Sequence, residues 1–292
     1  MSFSGRDDSE EITLTTPGIE SKLGEVKLTA KQLVVEEPSD RFEILGVRIW
    51  ARSFSKAVDQ VMSWLAHDGP PKLVTFTNVH MLTEAHQNPV LLERLRQMDL
   101  NCPDGMPLVW YGKLKGNPVT RVYGPEFMPA LCAASASMGY RHFLYGGKTG
   151  IAEKAAAELK KEIPDLQIVG TYSPPFRDLT AEEDESVVRQ INESGADIVW
   201  VCLGCPKQEH WIAEHRDRLK VRVLLAVGMA FDTISKELRW APPRIRAAGL
   251  EWVYRLVTEP KRMAPRYFRS NPLFVYLILR EFIAGQKRRT IN

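Results

Sequence analysis

The chain of 292 residues is expected to be an α/β protein with a doubly wound, mainly parallel sheet and a helical, basic C-terminal appendage. Three observations predict this. Short β-rich apolar runs alternate with helix-forming stretches, glycines stand at the strand-to-helix junctions, and beyond residue 239 the pattern changes to helical segments dense in arginine.

Residues 1–40 carry four Lys/Arg against nine acids, with no sustained periodicity, and read as a disordered extension. The core, 41–238, begins near "FEILGVRIWA". "KLVTFTN" (72–78) is expected as a strand, and "HMLTEAHQNPVLLERLRQM" as helix interrupted at Pro89. "RHFLYGG" (141–147) reads as a buried strand ending in a glycine turn, and "KTGIAEKAAAELKKEI" as a helix of strong helix formers. "LQIVGTYS" is a further strand and "AEEDESVVRQINESG" a helix stopped by Gly195. The strand "ADIVWVCLG" (196–204), the helix "KQEHWIAEHRDRL" and the strand "VRVLLAVG" (221–228) complete the alternation. Open α/β sheets take ligands at the carboxyl ends of their strands. Here those ends collect Thr77, Asn78, Gly146, Gly147, Tyr172, Gly204 through Gln208, and Gly228 through Asp232.

A hydrophobic content of 44% suffices for a substantial core. The four cysteines make no disulfide framework, which points to a reducing cytoplasm. The acidic "MSFSGRDDSEE" lacks the order of a secretory signal, and no run reaches the ~18–20 apolar residues that span a bilayer. Residues 239–292 hold twelve Lys/Arg against three acids, so an anionic partner is expected. Nucleic acid would suit the interleaved cations and aromatics. The apolar crowding of Leu273, Phe274, Tyr276, Leu277 and Leu279 instead favours a membrane surface or an oligomer contact, and nucleic acid is not expected as a partner.

Four constellations could carry chemistry. "YGGKTG" (145–150) could bring backbone N–H groups to a phosphate, or could simply be a tight turn. In "CLGCPKQEHW" (202–211) the C-x-x-C lacks further ligands at zinc spacing, whereas the proline could open a helix with Lys207 and Gln208 facing a pocket. The histidines form no metal motif, so no metal or cofactor is expected. Finally, "NCPDGMPLVWYG" (101–112) places Asp104 on a turn entering an apolar element. There it is either a helix N-cap or a catalytic base shielded from water.

The ordered set "TNVHML", "NCPDGMPLVW", "RVYGPEFMPAL", "FLYGG", "ADIVWVCLGCPKQE", "GMAFDTISKELRWAPPRI" and "GLEWVYRLVTEPKR" resembles the WecG/TagA/CpsF family of bacterial glycosyltransferases, from about residue 43 to about 270. The resemblance implies a Rossmann-like core and an inverting, metal-independent transfer from a UDP-sugar to a polyprenyl-diphosphate-linked saccharide for cell-surface polysaccharide. It also implies an appendage that docks on the inner face of the cytoplasmic membrane. Asp104 matches the family's proposed general base. Asn78 matches a donor-sugar contact, Arg121 and Gln208 the same pocket, and Gly146, Gly147 and Gly228 the turns that approach the nucleotide, with Thr77, Tyr145, Gly204 and Asp232 beside them. Arg255 and Arg262 fall where appendage arginines offset diphosphate charge. Phe76, Glu126 and Trp240 depart from the family's usual Thr, Asp and Arg, which leaves the donor open between N-acetylmannosamine and glucose. A non-catalytic nucleotide-sugar or RNA-binding module would use the same pocket and tail.

Overall fold

The computed structural model describes residues 40–290, so all of the expected extension, 1–40, except Asp40 lies outside the described residues. The body opens on an antiparallel hairpin, β1 (Arg41–Ile44) with β2 (Val47–Trp50). Helix α1 (Phe54–Leu65) follows, its first turn capped by the Ser53 side chain. Then come β3 (Lys72–Thr77), α2 (Val79–Gln87), α3 (Pro89–Gln97), β4 (Leu100–Pro103), α4 (Met106–Leu114), α5 (Gly124–Ala136), β5 (Arg141–Gly146) and α6 (Ile151–Glu162). After β6 (Gln167–Tyr172), α7 (Ala181–Ser194) is held by a capping box between Thr180 and Glu183 and ends at a left-handed Gly195. The remaining elements are β7 (Ile198–Cys202), α8 (Lys207–His215), β8 (Val223–Ala226), α9 (Ala230–Ile234), α10 (Pro243–Ala247), α11 (Glu251–Thr258) and α12 (Pro260–Thr290).

Strands β3 to β8 form one parallel sheet in the order β4-β3-β8-β7-β5-β6, so the expected doubly wound α/β architecture is what the chain adopts. Both faces are covered. Trp200, Leu225 and Val74 pack with Phe127, Ala155 and Phe231 from α5, α6 and α9 on one side, and Val199, Val201 and Leu224 with Ile191 and Ile212 from α7 and α8 on the other. A third cluster joins the hairpin to α2, α3 and α4.

Strand β4 carries too much polarity to be read from sequence. It is an edge strand, where Pro103 costs no ladder bond, and its buried Asn101 donates to the carbonyls of Leu95 and Arg48. The expected break at Pro89 is real: Asn88 ends α2 and caps α3, accepting from Val90 and Leu91.

Helix α12 lies along α2 and ends against the hairpin. Phe274 and Leu277 are buried, and Ser270 meets His80 Nδ1 at 3.1 Å. Farther on, Glu281 accepts from Tyr111 Oη at 3.1 Å and from the Leu45 amide at 3.4 Å, while Phe282 packs edge-on against Tyr111. No helix among the described residues is long and apolar enough to cross a membrane.

Gly146, expected to approach a ligand, meets the protein instead. Its φ is +121°, and a Cβ there would stand 2.4 Å from the Cys202 carbonyl oxygen on the adjacent strand. Gly146→Ala is expected to cost roughly 2–5 kcal/mol, from backbone strain plus overpacking, measured by urea denaturation.

Candidate active site

A cleft of about 2090 Å³ opens over the carboxyl ends of the parallel strands. Single small-molecule pockets are typically ~300–1,000 Å³, so this one has room for two ligands side by side. The sheet supplies its floor, and α11 and α12 supply a wall rich in arginine.

Asp104 lies on the floor, directly after β4. Its amide donates to the Thr77 carbonyl at 2.9 Å, which fixes the turn to the end of β3. The N-cap of α4 is Gly105, which offers no side-chain bond, so Asp104 does not cap the helix. Its carboxylate instead accepts from Arg121 Nη2 at 3.1 Å, and Arg121 Nε donates to the Asp104 carbonyl at 2.6 Å. The same guanidinium donates through Nη1 to Glu251 Oε2 at 2.9 Å and lies 4.2 Å above the Tyr123 ring. Tyr123 Oη donates to the other Glu251 oxygen at 2.8 Å. Burial pushes the Asp104 carboxyl up to about 6; Arg121 opposes that shift and Glu251 adds to it. The result is a carboxylate near the midpoint of its titration at mildly acid pH, facing a cavity.

Asn78 stands beside it. Its Oδ1 accepts from the Met81 amide and caps α2, so the side-chain NH₂ is the end left for the cleft. On the far side of the floor, Gln208 is fixed at both ends of its amide. Its oxygen accepts from the Gly228 N–H at 3.1 Å, and its nitrogen donates to Glu209 Oε1 at 2.9 Å. Thr75 donates to that same oxygen at 3.0 Å, while Glu209 Oε2 is buried with no geometric hydrogen bond among the described residues. Burial therefore raises the Glu209 carboxyl to about 7.

Eleven of the thirteen residues expected at the site do line the cleft: Asp104, Asn78, Arg121, Tyr145, Gly147, Gly204, Gln208, Gly228, Asp232, Arg255 and Arg262. Thr77 and Gly146 do not. Thr77 is fully buried and donates to Asn101 Oδ1, and Gly146 is enclosed by Cys202 as described above. Tyr145 presents little surface, since its ring is stacked 4.4 Å from Trp211. Asp232 is raised by burial, with Lys148 and Arg262 pulling the other way. Glu259 brackets the two expected appendage arginines, 2.5 Å from Arg262 Nη2 and 3.7 Å from Arg255 Nε.

Among the residues of the site that were not singled out in the sequence are Glu251, Tyr123 and Arg266. Arg266 keeps a buried Nε without a hydrogen-bond partner among the described residues. Glu251 stood in the "GLEWVYRLVTEPKR" segment, but only the fold brings it to Arg121, 130 positions away in sequence. Of the departing residues, Phe76 lines the cleft, whereas Glu126 and Trp240 do not: Glu126 pairs with Arg246, whose guanidinium stacks on the Trp240 ring. All four cysteines are free, and burial raises the Cys202 thiol to about 12. No cluster of three or more His, Cys, Asp or Glu among the described residues could hold a metal.

Sheet order, strand-end cleft, perturbed carboxyl and cationic wall together have the form of an α/β enzyme's active site. Comparison with known sequences makes this particular. The profile of the glycosyl transferase WecG/TagA/CpsF family matches residues 42–288, and the chain belongs to that family. It is therefore a glycosyltransferase. It is 31% identical over 205 residues to an N-acetylglucosaminyldiphosphoundecaprenol N-acetyl-beta-D-mannosaminyltransferase of Bacillus spizizenii, covering 70% of this chain and 77% of the relative. It is 28% identical over 251 residues to the protein of the same description from Staphylococcus aureus strain MRSA252, covering 84% and 96%.

The buried Glu209 gives a test of the floor. Its folded pKa, about 7, lies above the ordinary glutamate value of about 4.5, so it favours folding fully below about 4.5 and loses that contribution as pH rises through about 7. Chemical denaturation of wild type and Glu209→Gln between pH 4.5 and 8 is expected to show wild type losing stability with rising pH relative to the variant.

Proposed function

We propose that this glycosyltransferase moves an N-acetylmannosamine-type sugar from a UDP-sugar to a polyprenyl-diphosphate-linked saccharide by a single displacement with inversion. The observation that carries the reading is Asp104, a carboxyl raised to about 6 at the floor of a cleft whose facing wall holds Arg255, Arg262 and Arg266. The identity of sugar and acceptor is supported by the descriptions of the relatives.

The acceptor hydroxyl approaches Asp104, which takes its proton as the oxygen attacks the anomeric carbon. The bond from that carbon to the diphosphate breaks, and UDP leaves with the negative charge. The arginines of α11 and α12 offset this charge through bidentate contacts to phosphate oxygens. A retaining double displacement needs a second carboxylate free to act as nucleophile. Glu251, which shares Arg121 with Asp104, has one oxygen on Arg121 and the other on Tyr123 and is not free for that role.

The appendage suits a lipid-linked substrate. Val257, Phe268, Val275, Tyr276 and Leu279 are exposed among the cations of α11 and α12, the composition of a peripheral face that rests on an anionic bilayer. Membrane contact there would bring the acceptor's diphosphate to the cleft without a spanning helix.

Asp104→Asn is expected to lower transfer by roughly 10²–10⁴-fold while UDP binding, followed by calorimetry, is kept. Near-wild-type transfer in that variant would remove Asp104 as base. Since the base works only when ionised, kcat/KM should climb with pH through about 6 in wild type. UDP release against a panel of UDP-N-acetylmannosamine, UDP-N-acetylglucosamine and UDP-glucose, with and without short-chain polyprenyl-diphosphate N-acetylglucosamine, identifies the donor. Replacing Val257, Phe268 and Leu279 together by Glu is expected to weaken sedimentation with phosphatidylglycerol vesicles at least tenfold, with UDP binding unchanged.

A further inference from the structure

We propose that Glu251, supplied by the first turn of α11, is a positioning residue that sets the base through Arg121. This rests on the reading of Asp104 as the base.

Arg121 is the joint between two carboxylates on separate elements. It reaches Asp104 with Nη2 and Nε and Glu251 with Nη1, and the side-chain exposures of the three groups are 21%, 18% and 12%. A guanidinium so enclosed can pair bidentately with one carboxylate or be shared between two, and here it is shared. Asp104 receives one side-chain bond from it where it could receive two. Glu251 is in turn held at its second oxygen by Tyr123, whose ring lies beneath the guanidinium. Arg121 therefore cannot rotate onto Asp104 without losing its contact with Glu251. That sharing leaves Asp104 less neutralised, and a better proton acceptor, than full pairing would.

The other charged and titratable groups that act on Asp104 come from every element packed around it. Arg255 on α11 and Arg266 on α12 attract its charge, Cys102 lies behind it on β4, and Tyr123 and Tyr267 face it from the start of α5 and from α12. Glu251 is the nearby acid that makes its carboxyl harder to ionise. The consequence reaches beyond one pKa. Glu251 belongs to the C-terminal helices, whereas Asp104 and Arg121 belong to the sheet-bearing core, so the contact ties the surroundings of the base to the placement of α11.

The test compares kcat/KM against pH for wild type, Glu251→Gln, Glu251→Ala and Tyr123→Phe in the full chain, with Asp104→Asn as reference and thermal melts as a folding control. Glu251→Gln keeps the shape and one acceptor but removes the charge. The expected result is an acid limb displaced to lower pH, with kcat reduced roughly tenfold and KM for the donor within about a factor of two. Tyr123→Phe should move the limb in the same direction by less, because it frees Glu251 without removing it. An acid limb that stays in place in a folded Glu251→Gln variant, whether or not kcat falls, overturns the proposal and leaves Glu251 as a tether alone. If Glu251→Ala fails to fold, the Gln and Phe variants decide the matter. Transfer retained by Asp104→Asn would instead overturn the assignment of the base itself, so the two failures are distinct.

Discussion

One buried guanidinium organises the reactive end of this protein. Removing Arg121 and two carboxylates from water is costly, and the cost is offset by the bonds Arg121 makes to both acids and by the Tyr123 hydroxyl on Glu251. The constraint propagates outward. Asp104 can occupy the strand end because Arg121 is there, Arg121 keeps its orientation because Glu251 and the Tyr123 ring hold it, and Glu251 is in place because α11 begins where it does. The cleft is thus assembled from two sides that meet, beside the base, at the ionic contact of Arg121 with Glu251.

This arrangement explains why a parallel sheet with an added helical tail suits group transfer between two charged substrates. The sheet brings six strand ends to one rim and fixes the floor through backbone bonds, such as the Asp104 amide on the Thr77 carbonyl. The tail contributes cations that a compact sheet edge could not hold so closely without an anion between them. Arg255 and Arg262 rest on Glu259 and Arg266 keeps an unbonded Nε, so the wall is partly neutralised and still has donors to offer. Polar groups placed before the reaction, rather than recruited during it, are what make such stabilisation effective.

The fold class was legible because apolar strands alternate with helical stretches and β5, β7 and β8 run into glycine turns, a pattern that local sequence carries, whereas the polar edge strand β4 is not marked in this way. Asp104 was visible as an odd charge between Pro103 and Gly105, yet its neighbours could not distinguish a cap from a base; Gly105 taking the cap and Arg121 taking the carboxylate are tertiary facts. Thr77 and Gly146 misled for the reason that strand ends face two ways. The last residue of a strand can point into the sheet, as Thr77 does towards Asn101, and a glycine can serve the neighbouring strand rather than a ligand. Glu251 was hidden because an acid in the first turn of a helix is ordinary, and only its distance from Arg121 makes it otherwise.

The far end of α12 has a mechanical meaning. Glu281 fastens this helix to the hairpin at Leu45 and to α4 at Tyr111, and about 19 residues of helix, roughly 28 Å, separate that fastening from Arg262. A tilt of about 5° at the fastening would move the arginine by roughly 2–3 Å, the scale on which contacts to a diphosphate are made or lost. Such a tilt is opposed along the way by α2, where Phe274 and Leu277 are buried and Ser270 meets His80, so the β1–β2 hairpin helps to fix where the cations of the cleft stand without touching them.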